Sequence, residues 1–179
     1  MEKIAIIGAG IAGIVCAKEL VKTGVDVTIF DKSRGVSGRS TTKRWPNDIA
    51  IDMGIPYFKK SDCNQSIQFI IDDLIENNII TQWAVNQVEN SYVGIPKMSS
   101  IARHLANNIN LISKEKITEI KYDNSHWEIK SEHEVKFGGF KTLIFAIPAP
   151  QLELVKGIPN KILNISKNIK YNAVNTLLI

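Results

Sequence analysis

Cysteine is scarce: the 179 residues include only Cys16 and Cys63, too few for a disulfide framework. Histidine is as sparse, and His104, His126 and His133 have no ligand spacing with cysteines or acids, so no metal site is expected. Long apolar runs are missing. None approaches the ~20 residues needed to cross a bilayer, and no cationic apolar leader precedes the first strand. A soluble cytoplasmic protein with no membrane role is therefore expected. Nor is there a strong excess of one charge. The net +4 comes from scattered Lys and Arg, and Lys59-Lys60 reads as a solvated turn rather than a nucleic-acid patch. What remains, 44% hydrophobic and 22% charged residues, suits a chain with a buried core.

The first 31 residues carry most of the information. Lys3-Ile4-Ala5-Ile6-Ile7 is a short apolar run of the kind buried on both faces of a parallel sheet. Gly8-x-Gly10-x-x-Gly13 follows. Gly8 permits a tight turn, Gly10 lets backbone approach a phosphate, and Gly13 lets the next helix pack hard on the strand. The spacing predicts a helix from near Ile11, with Ala12 in its first turn, so that its free amides and positive dipole end face a pyrophosphate. Gly24 stops the helix. A β-branched strand then ends at Asp31, eighteen positions after Gly13. About 20 is expected for a carboxylate that binds ribose hydroxyls. Asp31 favours a free ribose over a phosphorylated one. An adenine dinucleotide is implied.

FAD and NAD share this fingerprint, and the segment after Asp31 separates them. Ser37-Gly38-Arg39 follows Lys32 in a small-residue loop, for which NAD dehydrogenases have no need. Read by itself, that loop could equally be a solvated basic surface. It resembles the Gly-Gly-Arg segment of flavoproteins with a glutathione-reductase-type FAD domain, with serine in place of one glycine.

Five stretches, in order, then resemble bacterial renalases, within the FAD-dependent amine-oxidase-like flavoproteins. They are Asp31-Lys32-Ser33-Arg34-Gly35, the Gly38-Arg39 turn, Ile51-Asp52-Met53-Gly54-Ile55-Pro56-Tyr57-Phe58, Val93-Gly94-Ile95-Pro96-Lys97-Met98-Ser99 and Ala146-Ile147-Pro148-Ala149-Pro150-Gln151. The resemblance implies an FAD cofactor and oxidation of dihydronicotinamide isomers to NAD(P), with oxygen as electron acceptor. An amine substrate, as in the wider family, is the alternative; a truncated, non-catalytic dinucleotide-binding module is another. The implied cofactor contacts are Gly8, Gly10, Ala12, Gly13, Asp31, Lys32, Arg39, Gly54, Pro56, Tyr57 and the backbone of Ile117, with the turn at Ala146-Ile147-Pro148 closing over the dinucleotide. No catalytic acid or base is identified. The family favours Gly-Ala-Gln-Tyr-Phe where Gly54-Ile55-Pro56-Tyr57-Phe58 stands and Pro-Gly-Met-Ser where Pro96-Lys97-Met98-Ser99 stands. Pro56 thus offers no donor at all.

The expected fold is α/β: a Rossmann-like FAD-binding domain (1–60 and 93–150) interrupted by an incomplete substrate domain (61–92 and 151–179). Residues 41–48 read as loop and 49–58 as extended. Ser61-Asp62 reads as the cap of a helix carrying Ile67, Ile70, Ile71, Leu74 and Ile75. A strand at Trp83-Ala84-Val85, a loop over 93–99 and a short helix capped by Ser99 or Ser100 come next. Leu111-Ile112-Ser113, residues 116–121, Trp127-Glu128-Ile129-Lys130 and residues 134–137 read as strands, with a hairpin turn at 122–126. Residues 143–147 return as a buried parallel strand cut by Pro148. Trp83 and Trp127 read either as aromatic cage members or as sheet-packing residues. The apolar run Val174-Asn175-Thr176-Leu177-Leu178-Ile179 suggests an N-terminal portion of a longer protein.

Overall fold

A computed structural model describes residues 2–83 and 90–172. In chain order its elements are β1 (Lys3–Ile7), α1 (Ile11–Lys22), β2 (Asp26–Asp31), β3 (Thr42–Arg44), β4 (Ala50–Asp52), β5 (Phe58–Lys59), α2 (Gln68–Glu76), β6 (Ile80–Gln82) and β7 (Ser91–Gly94). There follow α3 (Ser99–Leu105), β8 (Asn110–Ser113), β9 (Ile117–Asp123), β10 (His126–Ser131), β11 (Lys136–Phe140), β12 (Thr142–Phe145), α4 (Ala149–Leu152) and α5 (Asn160–Lys167). Two compact units result, Met1–Val36 with Asn108–Ile179, and Ser37–Asn107. The division falls near 36 and 107, whereas the sequence reading divides the chain near 60, 92 and 150. Ala84, Val85 and the run Val174–Ile179 lie outside the described residues.

The first unit is α/β, as its apolar runs imply. β12, β1, β2 and β8 form a parallel sheet in that order, with Ile6 opposite both Ile144 and Ile29. Ile4 to Ile7 are all buried, as a strand covered on both faces requires. α1 lays Ile14 and Ala17, both fully buried, toward the core. An antiparallel sheet, β9–β10–β11, brings Ile117, Ile120, Ile129 and Phe140 against Ala5, Ile7 and Phe30. The Phe30 ring sits 4.8 Å from Phe137 and 5.9 Å from Phe140. Each such buried side chain contributes about 1.5–3 kcal/mol, so this cluster fixes where β2 ends. Leu152, Val155 and Ile158 close the same core.

The second unit holds the antiparallel sheet β5–β7–β6, the hairpin β3–β4 and helices α2 and α3. Four expectations are corrected here. Residues 42–44 are a strand, not loop: Lys43 pairs with Ile51 across a turn with Asn47 and Asp48 at positive φ. Val93 and Gly94 belong to β7 rather than to a loop. Ser61 and Asp62 cap nothing. They form a separate 3-10 turn (Lys60–Asp62), the Ser61 hydroxyl bonds the Asp62 carboxylate, and α2 begins at Gln68. Of its apolar positions, Ile70, Ile71 and Leu74 are buried. Neither Ser99 nor Ser100 caps α3, whose N-cap is Met98. The Met98 amide donates instead to Asp52 Oδ2 (3.1 Å), while Ser99 is held by Thr42 Oγ1.

Candidate functional site

The turn leaving β1 is built for close approach. The Gly8 amide donates to the Phe30 carbonyl at 2.8 Å, and its φ of +113° belongs to glycine. A Cβ there would stand 2.6 Å from the Ala146 carbonyl oxygen. A Cβ on Gly13 would fall on the Gly8 carbonyl oxygen, so strand and helix touch through backbone. Gly10 is different. It is the N-cap of α1 with ordinary extended backbone, and a Cβ there would meet nothing within 4 Å. Open space therefore lies beside it.

That space adjoins the helix start. The first helical bond is from the Ile14 amide to the Gly10 carbonyl (3.0 Å), and no side chain caps α1 or places an acid in its first turn. The amides of Ile11, Ala12 and Gly13 are those a helix leaves without internal partners. With the dipole, they favour an anion.

At the end of β2, Asp31 accepts from the buried Ala9 amide through Oδ2 (2.6 Å) and from the Ser33 amide through Oδ1 (2.7 Å). These bonds tie the glycine turn to β2 and leave acceptor capacity on the carboxylate. Asp31, Gly8, Lys32 and Ile117 line one cavity of about 130 Å³. Phe30, Ile147 and Val155 supply apolar wall. Whole-ligand sites run to about 300–1,000 Å³, so this cavity has room for only one portion of a ligand of that size.

Four expected contacts lie in the other unit. Arg39 is exposed within the 3-10 turn Gly38–Ser40 and forms no ion pair among the described residues. A Cβ on Gly54 would fall on the Arg39 carbonyl, which also accepts from the Ile55 amide at 3.0 Å, so these two positions are neighbours. Ser37, the serine standing for glycine, has φ of 130°. Pro56 is exposed, and Tyr57 tilts against Trp83 with centroids 5.1 Å apart. Trp127 packs on Tyr122 at 4.9 Å.

Glu115 and Lys116 also line the cavity, and the sequence reading missed both. Their signal is absent from any motif; only the pairing of the Glu115 amide with the Asp31 carbonyl (2.9 Å) brings them there. Burial pushes the Cys16 thiol up, and burial with the Asp62 charge pushes Cys63 up, so neither is an activated nucleophile. Among the described residues, no three or more His, Cys, Asp or Glu gather to hold a metal, and no helix is long and apolar enough to cross a membrane.

Comparison with known proteins agrees with this geometry. Residues 6–74 match the family described as NAD(P)-binding Rossmann-like domain. The sequence is 33% identical to a tryptophan 2-monooxygenase of Allorhizobium ampelinum over 84 residues, 45% of this chain and 11% of that protein. It is 32% identical to the small chain of glutamate synthase (NADPH) of Escherichia coli over 89 residues, 42% of this chain and 18% of that protein. A tryptophan 2-monooxygenase of Rhizobium rhizogenes is 44% identical over 64 residues, 34% of this chain and 8% of that protein. The matched stretches thus span less than a fifth of each relative's length. The chain carries a Rossmann-like dinucleotide-binding domain and has oxidoreductase relatives.

Proposed function

We propose that this chain is the dinucleotide-holding part of an FAD-dependent oxidoreductase of the renalase type, which oxidises dihydronicotinamide isomers to NAD(P) with oxygen as electron acceptor. The observation that carries the reading is the conjunction at one end of the parallel sheet: uncapped α1, open space at Gly10 and the Asp31 cavity. Those features fit an adenine dinucleotide. The amides at Ile11, Ala12 and Gly13 would receive the pyrophosphate, Asp31 the ribose, and the Ile117 backbone the adenine edge, with Lys32 alongside. Roles for Arg39, Gly54, Pro56 and Tyr57 toward the pyrophosphate and flavin rest on resemblance alone, as does a partial substrate domain at 61–92 and 151–179. When bound, flavin supplies hydride acceptance and reoxidation by oxygen. The protein's part is to orient it and offset its charge.

An amine substrate is the second reading, favoured by the similarity to two tryptophan 2-monooxygenases. A module without catalysis is the third, favoured by the missing donor at Pro56. Incubation of the purified protein with FAD, followed by desalting and an absorbance spectrum, tests the cofactor. Retained flavin bands are expected; a flavin-free spectrum would count against it. Anaerobic mixing of the loaded protein with dihydronicotinamide isomers and with amines then separates the three. Bleaching by the former alone supports the renalase reading, by amines alone the second, and by neither the third.

A further inference from the structure

One wall of the Asp31 cavity comes from α4 and the turn that follows it. Gln151, Leu154 and Val155 line the cavity there. The helical pattern runs on past Leu152, because the Leu154 amide donates to the Gln151 carbonyl and the Val155 amide to the Leu152 carbonyl. Positions three and four apart share a helix face, so these three side chains look the same way. The wall is anchored. Leu152 and Val155 are buried in the core, the Lys156 amide donates to the Thr118 carbonyl at 2.9 Å, and the Ile120 amide donates to the Lys156 carbonyl at 2.9 Å. The end of this segment is thereby stitched onto β9, whose first residue, Ile117, also lines the cavity.

Two side chains on this wall have nothing to do within the protein. Leu154 is 70% exposed, more than any other large apolar side chain among the described residues. A lone exposed leucine is ordinary on a surface, but this one borders a cavity together with Ile147. Gln151 is half-buried; its side-chain amide has no hydrogen-bond partner among the described residues, yet it stays open to solvent and so within reach of a ligand. The charged lining residues balance, Asp31 and Glu115 against Lys32 and Lys116, so the cavity favours a neutral group over a further anion. A flat ring with a polar edge has that character. A glutamine amide offers a donor and an acceptor side by side, and the 6-amino group of adenine beside a ring nitrogen is its complement. We infer that Gln151 bonds the adenine edge and Leu154 covers the ring face, which makes this wall the base-selecting part of the site. The inference rests on the dinucleotide reading above and deepens it by naming what discriminates the base.

Calorimetric titration of the full chain with ADP, purine riboside 5′-diphosphate (hydrogen in place of the 6-amino group) and inorganic pyrophosphate tests this. Wild-type protein is expected to bind ADP about tenfold tighter, or more, than either comparison ligand. Gln151→Met, which keeps length but loses the amide, should weaken ADP about tenfold and the purine analogue only about twofold. Leu154→Ser should weaken both nucleotides alike, by about fivefold, with no fall in Tm because the leucine is exposed. Equal loss of ADP and the purine analogue in Gln151→Met overturns the base contact. Unchanged ADP affinity, or a lowered Tm, in either variant removes that residue from the inference, and in both overturns it with the cofactor reading intact. Pyrophosphate bound as tightly as ADP also overturns it, since the base would then contribute nothing. Folded wild-type protein that binds no ADP overturns both.

Discussion

Replacing Asp31 by alanine removes the acceptor that joins the glycine turn to β2. Two amide bonds are lost, from Ala9 at 2.6 Å and from Ser33 at 2.7 Å. They are not equivalent. Ser33 is exposed, so water takes over its amide and the net loss is a few tenths of a kcal/mol. Ala9 is fully buried, and its amide is left without a partner, a penalty of about 1–3 kcal/mol. Asp31→Ala should therefore lower unfolding stability by about 1.5–3.5 kcal/mol, with the denaturant slope unchanged. Asp31→Asn keeps one acceptor oxygen for Ala9 and should lose only about 1 kcal/mol. Urea unfolding followed by tryptophan fluorescence measures both. Asp31→Ala within 0.5 kcal/mol of wild type (roughly the scatter of a substitution at an uninvolved surface site) would refute the view that this carboxylate pins the turn.

Gly13→Ala and Gly10→Ala should separate folding from binding. The first drives a methyl into the Gly8 carbonyl and should destabilise by about 2 kcal/mol or more, whereas the second meets no protein atom and should leave stability within about 0.5 kcal/mol while weakening ADP at least tenfold. Ser37→Gly relieves a φ of 130° and should stabilise by about 1 kcal/mol, read as a rise in Tm; an unchanged or lower Tm contradicts it. Cys16 and Cys63, both with pKa raised above the ordinary 9.0, should carry less thiolate at pH 7 than a free cysteine and label slowly. Their labelling should accelerate only as pH climbs past that value, and fast labelling of the folded protein at pH 7 would contradict the burial.

The β1–α1–β2 unit was legible because several independent signals coincide there: apolar runs, three glycines at fixed spacing, a helical period and a closing acid. β12 was legible as a parallel strand from the apolar run Leu143-Ile144-Phe145, but not as a buried one: it lies at the edge of the sheet, and its residues are only half-buried. The β3–β4 hairpin was hidden. Thr42-Lys43-Arg44 has no apolar alternation, and its order depends on Thr42 bonding Asp52 and Ser99, the latter 57 positions away. The start of α3 was misread for the same reason, because its amide is satisfied by a carboxylate from 46 positions upstream rather than by a local serine. Among site residues, Gly8, Asp31, Lys32 and Ile117 converge on one cavity, but Glu115 could not be found without the backbone pairing that brings it to Asp31.

Amide chemical shifts of 15N-labelled protein titrated with ADP test the central claim most directly. The account predicts large shifts at Ile11, Ala12 and Gly13, accompanied by Asp31 and Ile117 and needing at least tenfold more ADP in Gly10→Ala. Saturable ADP binding that leaves those three helix-start amides unmoved would contradict it.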